Sequence, residues 1–273
     1  MNMLDTIIAH KKKEVEERKS LYPVKLLEKS VYFASPCVSF RKYLLREDKA
    51  GIIAEIKRKS PSKGIINKYV SVERTSIGYM QAGASALSIL TDTEFFGGKN
   101  EDLVTARKFN YCPILRKDFM IDEYQILEAK AIGADVILLL ANVLDAARIQ
   151  ELGRFAQSLG MEVLLEVREA EELVSLNEFV DAVGVNNRNL KDFSVNIEQS
   201  LKLAELIPSG LIRISESGID SAAAIMQLRE AGFRGFLIGE SFMKHSRPEE
   251  ACAKLVKELG EIQNTQNKTT VTA

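Results

Sequence analysis

Charged and polar residues stand at the ends of short apolar stretches of this chain, in types and spacings suited to proton transfer. Glu55 and Lys57 lie two residues apart at the end of the stretch Ile52 to Ile56, so in a strand they point to the same side. Lys117 follows Pro113 to Leu115, Glu166 follows Val163 to Leu165, Asn186 follows Ala182 to Val185, and Glu216 follows Leu211 to Ile214. Lysines and glutamates brought inward from several strands would be costly to bury without a task. A lysine beside another cation in a partly desolvated site holds its proton less tightly, which suits an acid that donates to a substrate oxygen. Glu166, close to apolar strand ends, suits the complementary proton-handling role. Two other readings use the same residues: a structural ion-pair network, and a lysine forming a Schiff base with a sugar-phosphate carbonyl.

Two turns suggest an anion. Ser217-Gly218 and Gly239-Glu240-Ser241 each place a small residue after a strand and before a helix, where backbone amides and the helix dipole attract phosphate. Ser221 or Asp220 is a candidate cap for the helix that follows the first of these turns.

The elements that must hold these residues follow from periodicity. Strand-length apolar stretches begin at Ile52, Ala86, Pro113, Val136, Val163, Ala182, Leu211 and Phe236, and helix-periodic segments such as 123–131, 144–159 and 221–231 separate them. Eight strands in strict alternation with helices predict an α/β fold, a closed (β/α)8 TIM barrel, whose active site lies at the C-terminal ends of the strands. Phosphate sites in such barrels commonly follow strands seven and eight, where the two turns fall. Ahead of the barrel, Leu4, Ile7, Ile8 and Val15 mark an amphipathic helix, and its triplet Lys11-Lys12-Lys13, followed by Glu14, Glu16 and Glu17, reads as a solvated face. Residues 22–39, with Pro23 and Pro36, read as a connector holding one short helix at 25–30. The expected organisation is a helical extension over 1–48 packed on the barrel, the barrel over 49–260, and a polar tail over 261–273 that frays, in one domain overall.

Composition narrows the function. Lys plus Arg (37) balances Asp plus Glu (38), so no net field favours nucleic acid or an anionic membrane. Cys37, Cys112 and Cys252 form no paired motif and read as small apolar fillers, so neither disulfides nor a metal site is expected. The first twenty residues do not resemble a signal peptide and no apolar stretch reaches membrane-spanning length, so cytoplasmic residence is expected. The expected partner is a phosphorylated small molecule, and the expected state a monomer or weak homo-oligomer.

The words around these residues are more specific than their spacing. The segment Ala54-Glu55-Ile56-Lys57-Arg58-Lys59-Ser60-Pro61-Ser62-Lys63-Gly64 resembles the AEIKxxSPSxG signature of indole-3-glycerol-phosphate synthases. Thr91 to Gly98, Leu115 to Phe119, Gly184 to Leu190, Glu216 to Ile219 and Leu237 to Met243 resemble the family's other landmarks, in its order and over nearly the whole chain. The resemblance implies ring closure of 1-(2-carboxyphenylamino)-1-deoxyribulose 5-phosphate to indole-3-glycerol phosphate, with loss of carbon dioxide and water and with no metal or organic cofactor. It implies Lys117 as general acid and Glu166 as partner in the dehydration. Lys57 would steer the substrate carboxylate, Glu55 and Glu216 would hold the lysines, and Asn186 would bond within the network. Ser60 and Arg188 would be supporting contacts, and Phe96, Phe119 and Leu138 an apolar slot for the anthranilate ring. Ser217, Gly218, Gly239 and Glu240 would form the phosphate turns. Glu240 departs from a common form with Ser, and its carboxylate would weaken phosphate binding unless it turned outward; Lys99 and Asn100 also vary a loop. Phosphoribosylanthranilate isomerase, or a barrel that binds a phosphorylated ligand without turning it over, would share the phosphate turns without needing AEIKxxSPSxG.

Overall fold

The computed structural model describes residues 3–189 and 194–271, the last six without their side chains. A 19-residue helix, α1 (Met3–Leu21), opens the chain, followed by the single turns α2 (Val24–Leu27) and α3 (Phe40–Leu44). Strand β1 (Ile52–Ile56) starts the barrel, and a small antiparallel hairpin, β2 (Lys59–Ser60) with β3 (Gly64–Ile65), projects from its C-terminal end. The remaining units are α4 (Val72–Gln81), β4 (Ala86–Leu90), α5 (Asn100–Phe109), β5 (Ile114–Lys117), α6 (Glu123–Ile132), β6 (Val136–Leu140), α7 (Ala146–Ser158) and β7 (Glu162–Val167). After a 3-10 segment at Ala170–Ser175 come β8 (Ala182–Asn186), α8 (Glu198–Ala204), β9 (Ile212–Glu216), α9 (Ala222–Glu230), β10 (Gly235–Ile238), α10 (Glu240–Met243) and α11 (Pro248–Val271). The strands close in the order β1-β10-β9-β8-β7-β6-β5-β4, each pair parallel, with β4 returning to β1. This is the eight-stranded barrel the alternation predicts.

Strand parity divides the core in two. Ile53, Leu115, Val136, Leu138, Leu164, Ala182, Ile212, Ile214 and Leu237 fill the barrel interior, whereas Ile52, Ala54, Leu87, Ile89, Ile137, Leu139, Val163, Val183 and Phe236 face the helices. Each such Leu, Ile, Val or Phe side chain removed from water contributes about 1.5–3 kcal/mol. Phe40 and Leu44 of α3 belong to the interior cluster, so part of the N-terminal extension packs with the barrel lining.

Several boundaries differ from the sequence expectation. Lys117, Glu166, Asn186 and Glu216 lie inside β5, β7, β8 and β9 rather than after them. Their side chains satisfy one another, so the backbone ladder continues through them. The short helix expected at 25–30 is the turn Val24–Leu27, which starts directly after Pro23. Helix α11 includes the polar segment from 261 to 271.

One expectation fails outright. Lys11 is not on a solvated face: its side chain is fully buried, on the same stripe as Ile7 and Val15, while Lys12 and Lys13 are exposed. Three carboxylates surrounding its ammonium make that burial tolerable.

Candidate active site

Residues 55 and 57, 115 and 117, 164 and 166, 182 and 186, and 214 and 216 share parity with the barrel lining. In β1, β5, β7, β8 and β9 apolar side chains occupy the lower inward positions and polar or charged ones the C-terminal ends, so the strand period brings the charged groups together at one mouth. Lys117 Nζ donates to Glu166 Oε2 at 2.8 Å and to Glu216 Oε2 at 2.6 Å. Glu166 Oε1 accepts from Asn186 Nδ2 at 2.8 Å, and Asn186 Oδ1 accepts from the Arg188 amide at 3.0 Å. Lys57 Nζ donates to Glu55 Oε1 at 2.6 Å, and Ser88 Oγ to Glu55 Oε2 at 3.4 Å.

Two glycines leave room for this cluster. A Cβ at Gly184 would stand 2.1 Å from Glu216 Oε1, and one at Gly239 would stand 2.3 Å from Glu55 Oε1. Glycine at these positions is therefore a matter of space for a carboxylate.

The electrostatics correct one expectation. Burial works against the Lys117 ammonium, but Glu166, Glu216 and Glu55 more than offset it and raise its pKa above the ordinary lysine value. The acidity-enhancing neighbour expected from sequence is outweighed because three carboxylates surround the amine and Lys57 is itself held by Glu55. The two carboxylates on Lys117 then diverge. Burial raises both, yet Lys117 and the amide of Asn186 bring Glu166 below its usual range, whereas Glu216 is pushed up to about 7. Among the described residues no donor reaches the buried Glu216 Oε1, whereas Glu166 Oε1 has Asn186.

That asymmetry sets a pH dependence. A carboxyl whose folded pKa lies above its unfolded value contributes stability that is complete below the unfolded pKa and is lost as pH rises through the folded one. For Glu216 the window runs from the ordinary glutamate value of 4.5 to about 7. Melting temperatures of Glu216→Gln and the parent protein, measured from pH 4.5 to 8, should diverge in the variant's favour as pH rises. Parallel curves would show that Glu216 does not carry a raised pKa.

Around the cluster, the aromatic rings of Phe96 and Phe119 lie 6.0 Å apart at 41°, both half-buried, and Phe119 packs on the interior cluster that includes Leu138. Ser60, in β2, contacts Ser62 Oγ at 3.3 Å and is not drawn into the lysine-glutamate network by any described hydrogen bond. Ser217 and Gly218 both take left-handed backbone, at φ 69° and 74°, and Asn187 Nδ2 donates to the Ser217 carbonyl at 3.0 Å. Ser221 caps α9, accepting from the Ala224 amide. Because β9 and β10 are neighbours, the turns at Ser217-Gly218 and Gly239-Glu240 lie side by side. The Glu240 carboxylate is partly exposed and paired: its Oε2 meets the Arg188 guanidinium at 3.0 Å and its Oε1 lies 3.6 Å from Lys63 Nζ. Leu190, the last residue of one landmark, lies outside the described residues. Lys99 and Asn100 form the start of α5.

The sequence reading misses a second buried network just behind the rings. Arg116 donates to Thr91 Oγ1, Glu128 and Asp118, and Asp118 also accepts from Thr91 Oγ1 at 2.6 Å. Asp92 accepts from the amides of Phe95 and Phe96. A readable signal existed for Lys11, a lysine four residues from both Ile7 and Val15 on an apolar stripe.

A closed parallel barrel with lysines and carboxylates converging at the C-terminal mouth, beside two glycine turns, has the architecture of a (β/α)8-barrel enzyme. The chain belongs to the indole-3-glycerol phosphate synthase family, whose model matches residues 4–255. An indole-3-glycerol phosphate synthase of Bacteroides thetaiotaomicron is 46% identical over 258 residues, covering 94% of this chain and 99% of that protein. One from Carboxydothermus hydrogenoformans is 39% identical, covering 93% and 99%. Among solved structures, 3-hexulose-6-phosphate synthase from Salmonella typhimurium aligns with TM-score 0.60 at 14% identity, over 78% of this chain and 99% of that one, a likeness of fold alone.

Proposed function

We propose that the protein is an indole-3-glycerol-phosphate synthase, a carboxy-lyase of tryptophan biosynthesis that closes the pyrrole ring of 1-(2-carboxyphenylamino)-1-deoxyribulose 5-phosphate. The observation that carries this reading is the Lys117 ammonium held between Glu166 and Glu216 at the barrel mouth, in a chain of this family. The ring carbon bearing the carboxylate attacks the substrate ketone while Lys117 gives its proton to the ketone oxygen. Carbon dioxide leaves with its bonding electrons returned to the ring. The new hydroxyl then departs as water as a proton is lost from the neighbouring carbon, with Glu166 handling the protons of this step. A raised lysine pKa is compatible with the first transfer, because the acceptor becomes an alkoxide-like oxygen of still higher basicity. The same raised pKa speaks against the Schiff-base reading, which requires a free amine.

Lys57 steers the substrate carboxylate with Glu55 behind it, and Phe96, Phe119 and Leu138 hold the ring against the ketone. Ser60 is a further substrate contact from the β2–β3 hairpin. Arg188, Ser217, Gly218, Gly239 and the amide of Glu240 take the phosphate, with Lys63 nearby. No cofactor is needed for these steps, and the protein is read as a cytoplasmic monomer or weak homo-oligomer whose extension, barrel and tail work as one unit.

The chain contains no tryptophan, so product indole emission stands against tyrosine alone. Sustained indole fluorescence on adding the carboxyphenylamino-deoxyribulose phosphate to metal-stripped protein supports the reading. Silence would leave a phosphate-binding barrel with another substrate. Glu240 supplies a second check: its carboxylate competes with phosphate for Arg188 and Lys63, so Glu240→Gln should tighten competitive inhibition by inorganic phosphate by roughly three- to ten-fold. An unchanged or weakened inhibition constant would remove Glu240 from the phosphate turn.

A further inference from the structure

Helix α1 carries a charge that neither solvent nor the proposed proton transfers use. Lys11 Nζ lies 2.9 Å from Asp118 Oδ1, 3.0 Å from Asp92 Oδ2 and 2.9 Å from Glu14 Oε2, with no exposed side-chain surface. The ammonium donates to Glu14 and stands at ion-pair distance from the two barrel carboxylates. The two barrel carboxylates each hold part of the ring slot. Asp92 Oδ1 accepts the amides of Phe95 at 2.7 Å and Phe96 at 3.2 Å, while Asp118 Oδ1 accepts the Phe119 amide at 2.8 Å. One nitrogen from the N-terminal helix thus ties together the two acids that fix the backbone under Phe96 and Phe119, the pair whose rings lie 6.0 Å apart and tilted. His10, the preceding residue, packs edge-on against Phe95 with centroids 5.6 Å apart.

We propose that Lys11 is a positioning residue for the aromatic slot, setting the separation of Phe96 and Phe119 through Asp92 and Asp118, so that helix α1 is part of the substrate site. The inference rests on the ring-closure reading for what the slot holds. The groups facing Lys11 are Asp92 and Asp118 from the barrel and Glu14 from its own helix, with Arg116 and Thr91 on the far side of Asp118. Burial alone would lower the lysine pKa, but Asp118, Asp92 and Glu14 more than offset it and hold it above its ordinary value. The clamp therefore stays charged across the neutral range and does not act as a pH switch. Elsewhere α1 is anchored by Arg18 to Glu128 and by Lys19 to Asp122, the latter at 2.8 Å and outside the hydrogen bonds that hold the slot.

The test compares Lys11→Met, Lys11→Arg, Asp92→Asn and Lys19→Ala in the full chain. Three quantities are read: KM and kcat by indole emission, the inhibition constant of inorganic phosphate, and the affinity of a reduced anthranilate analogue followed by its own fluorescence. Lys11→Met should weaken analogue affinity and raise KM by about ten-fold or more, while phosphate inhibition stays within about two-fold. Lys11→Arg should recover part of the loss, and Lys19→Ala should match the parent protein. Should Lys11→Met not fold, Asp92→Asn keeps the oxygen that accepts the Phe95 and Phe96 amides and should give the same phosphate-sparing pattern. Unchanged analogue affinity, equal losses for analogue and phosphate, or a Lys19→Ala variant as impaired as Lys11→Met would each overturn the proposal. A parent protein without indole emission would overturn the ring-closure reading instead, and the analogue titration would still decide whether Lys11 shapes an aromatic slot.

Discussion

Lys117→Met should lower kcat by about a thousand-fold or more while weakening substrate binding only modestly, since a positioned general acid contributes about 10²–10⁴ to rate. Methionine is unbranched like lysine, one atom shorter, and carries neither the proton nor the charge. The fold should tolerate the change because Glu216, already pushed up to about 7, can hold a proton in place of the missing ion pair. Lys57→Met is the contrasting variant. Its charge meets the substrate carboxylate before and during reaction, so KM should rise as kcat falls. Steady-state indole emission with both variants measures the difference. Small and equal losses would remove the proton-donor role from Lys117.

The second large effect comes from a residue with no functional group. Gly184 lies between Ala182 and Asn186 on the inner face of β8, and an added Cβ would stand 2.1 Å from Glu216 Oε1 and 3.3 Å from Leu164 Cδ1. The nearer contact is the end of a flexible side chain, so the carboxylate would swing aside and the backbone would remain. Lys117 would lose its 2.6 Å partner and the orientation that partner gives it. Misplacement of a reacting group by about 1 Å can cost about 100-fold, so Gly184→Ala should lose about that factor in kcat with a change of only a few degrees in melting temperature. A variant with full activity would show that the Glu216–Lys117 contact does not position the acid. A variant that fails to fold would show that the barrel, rather than Glu216, absorbs the clash.

Which residues serve the mouth was largely legible in the chain, because strand alternation is a local property. Once Ile53 and Leu115 are inward, Glu55, Lys57 and Lys117 must be inward too, whatever the rest of the molecule does. The count of eight apolar stretches likewise favoured closure over an open sheet, and the landmark words between them pointed to the family now matched over residues 4–255. Strand ends were less legible: Glu166 and Glu216 were expected beyond their strands, since propensity reads a charged residue as a terminus when its partner lies on another strand.

What the tertiary structure alone decided is how charges far apart in sequence balance one another. The proton preference of Glu216 over Glu166 depends on Asn186 reaching one and not the other, a difference between strands β7, β8 and β9 that no spacing encodes. The pairing of Glu240 depends on Arg188 and Lys63 arriving from two other parts of the chain. Lys11 is the sharpest case: within its own helix it is one of three consecutive lysines, and Asp92 and Asp118 from the barrel join Glu14 around its buried ammonium. Local patterning fixes which way a side chain points, because it is set by backbone geometry. Coulomb energy falls with distance and rises with burial, so the protonation and pairing of a charge are settled only when the fold brings its partners within a few ångströms.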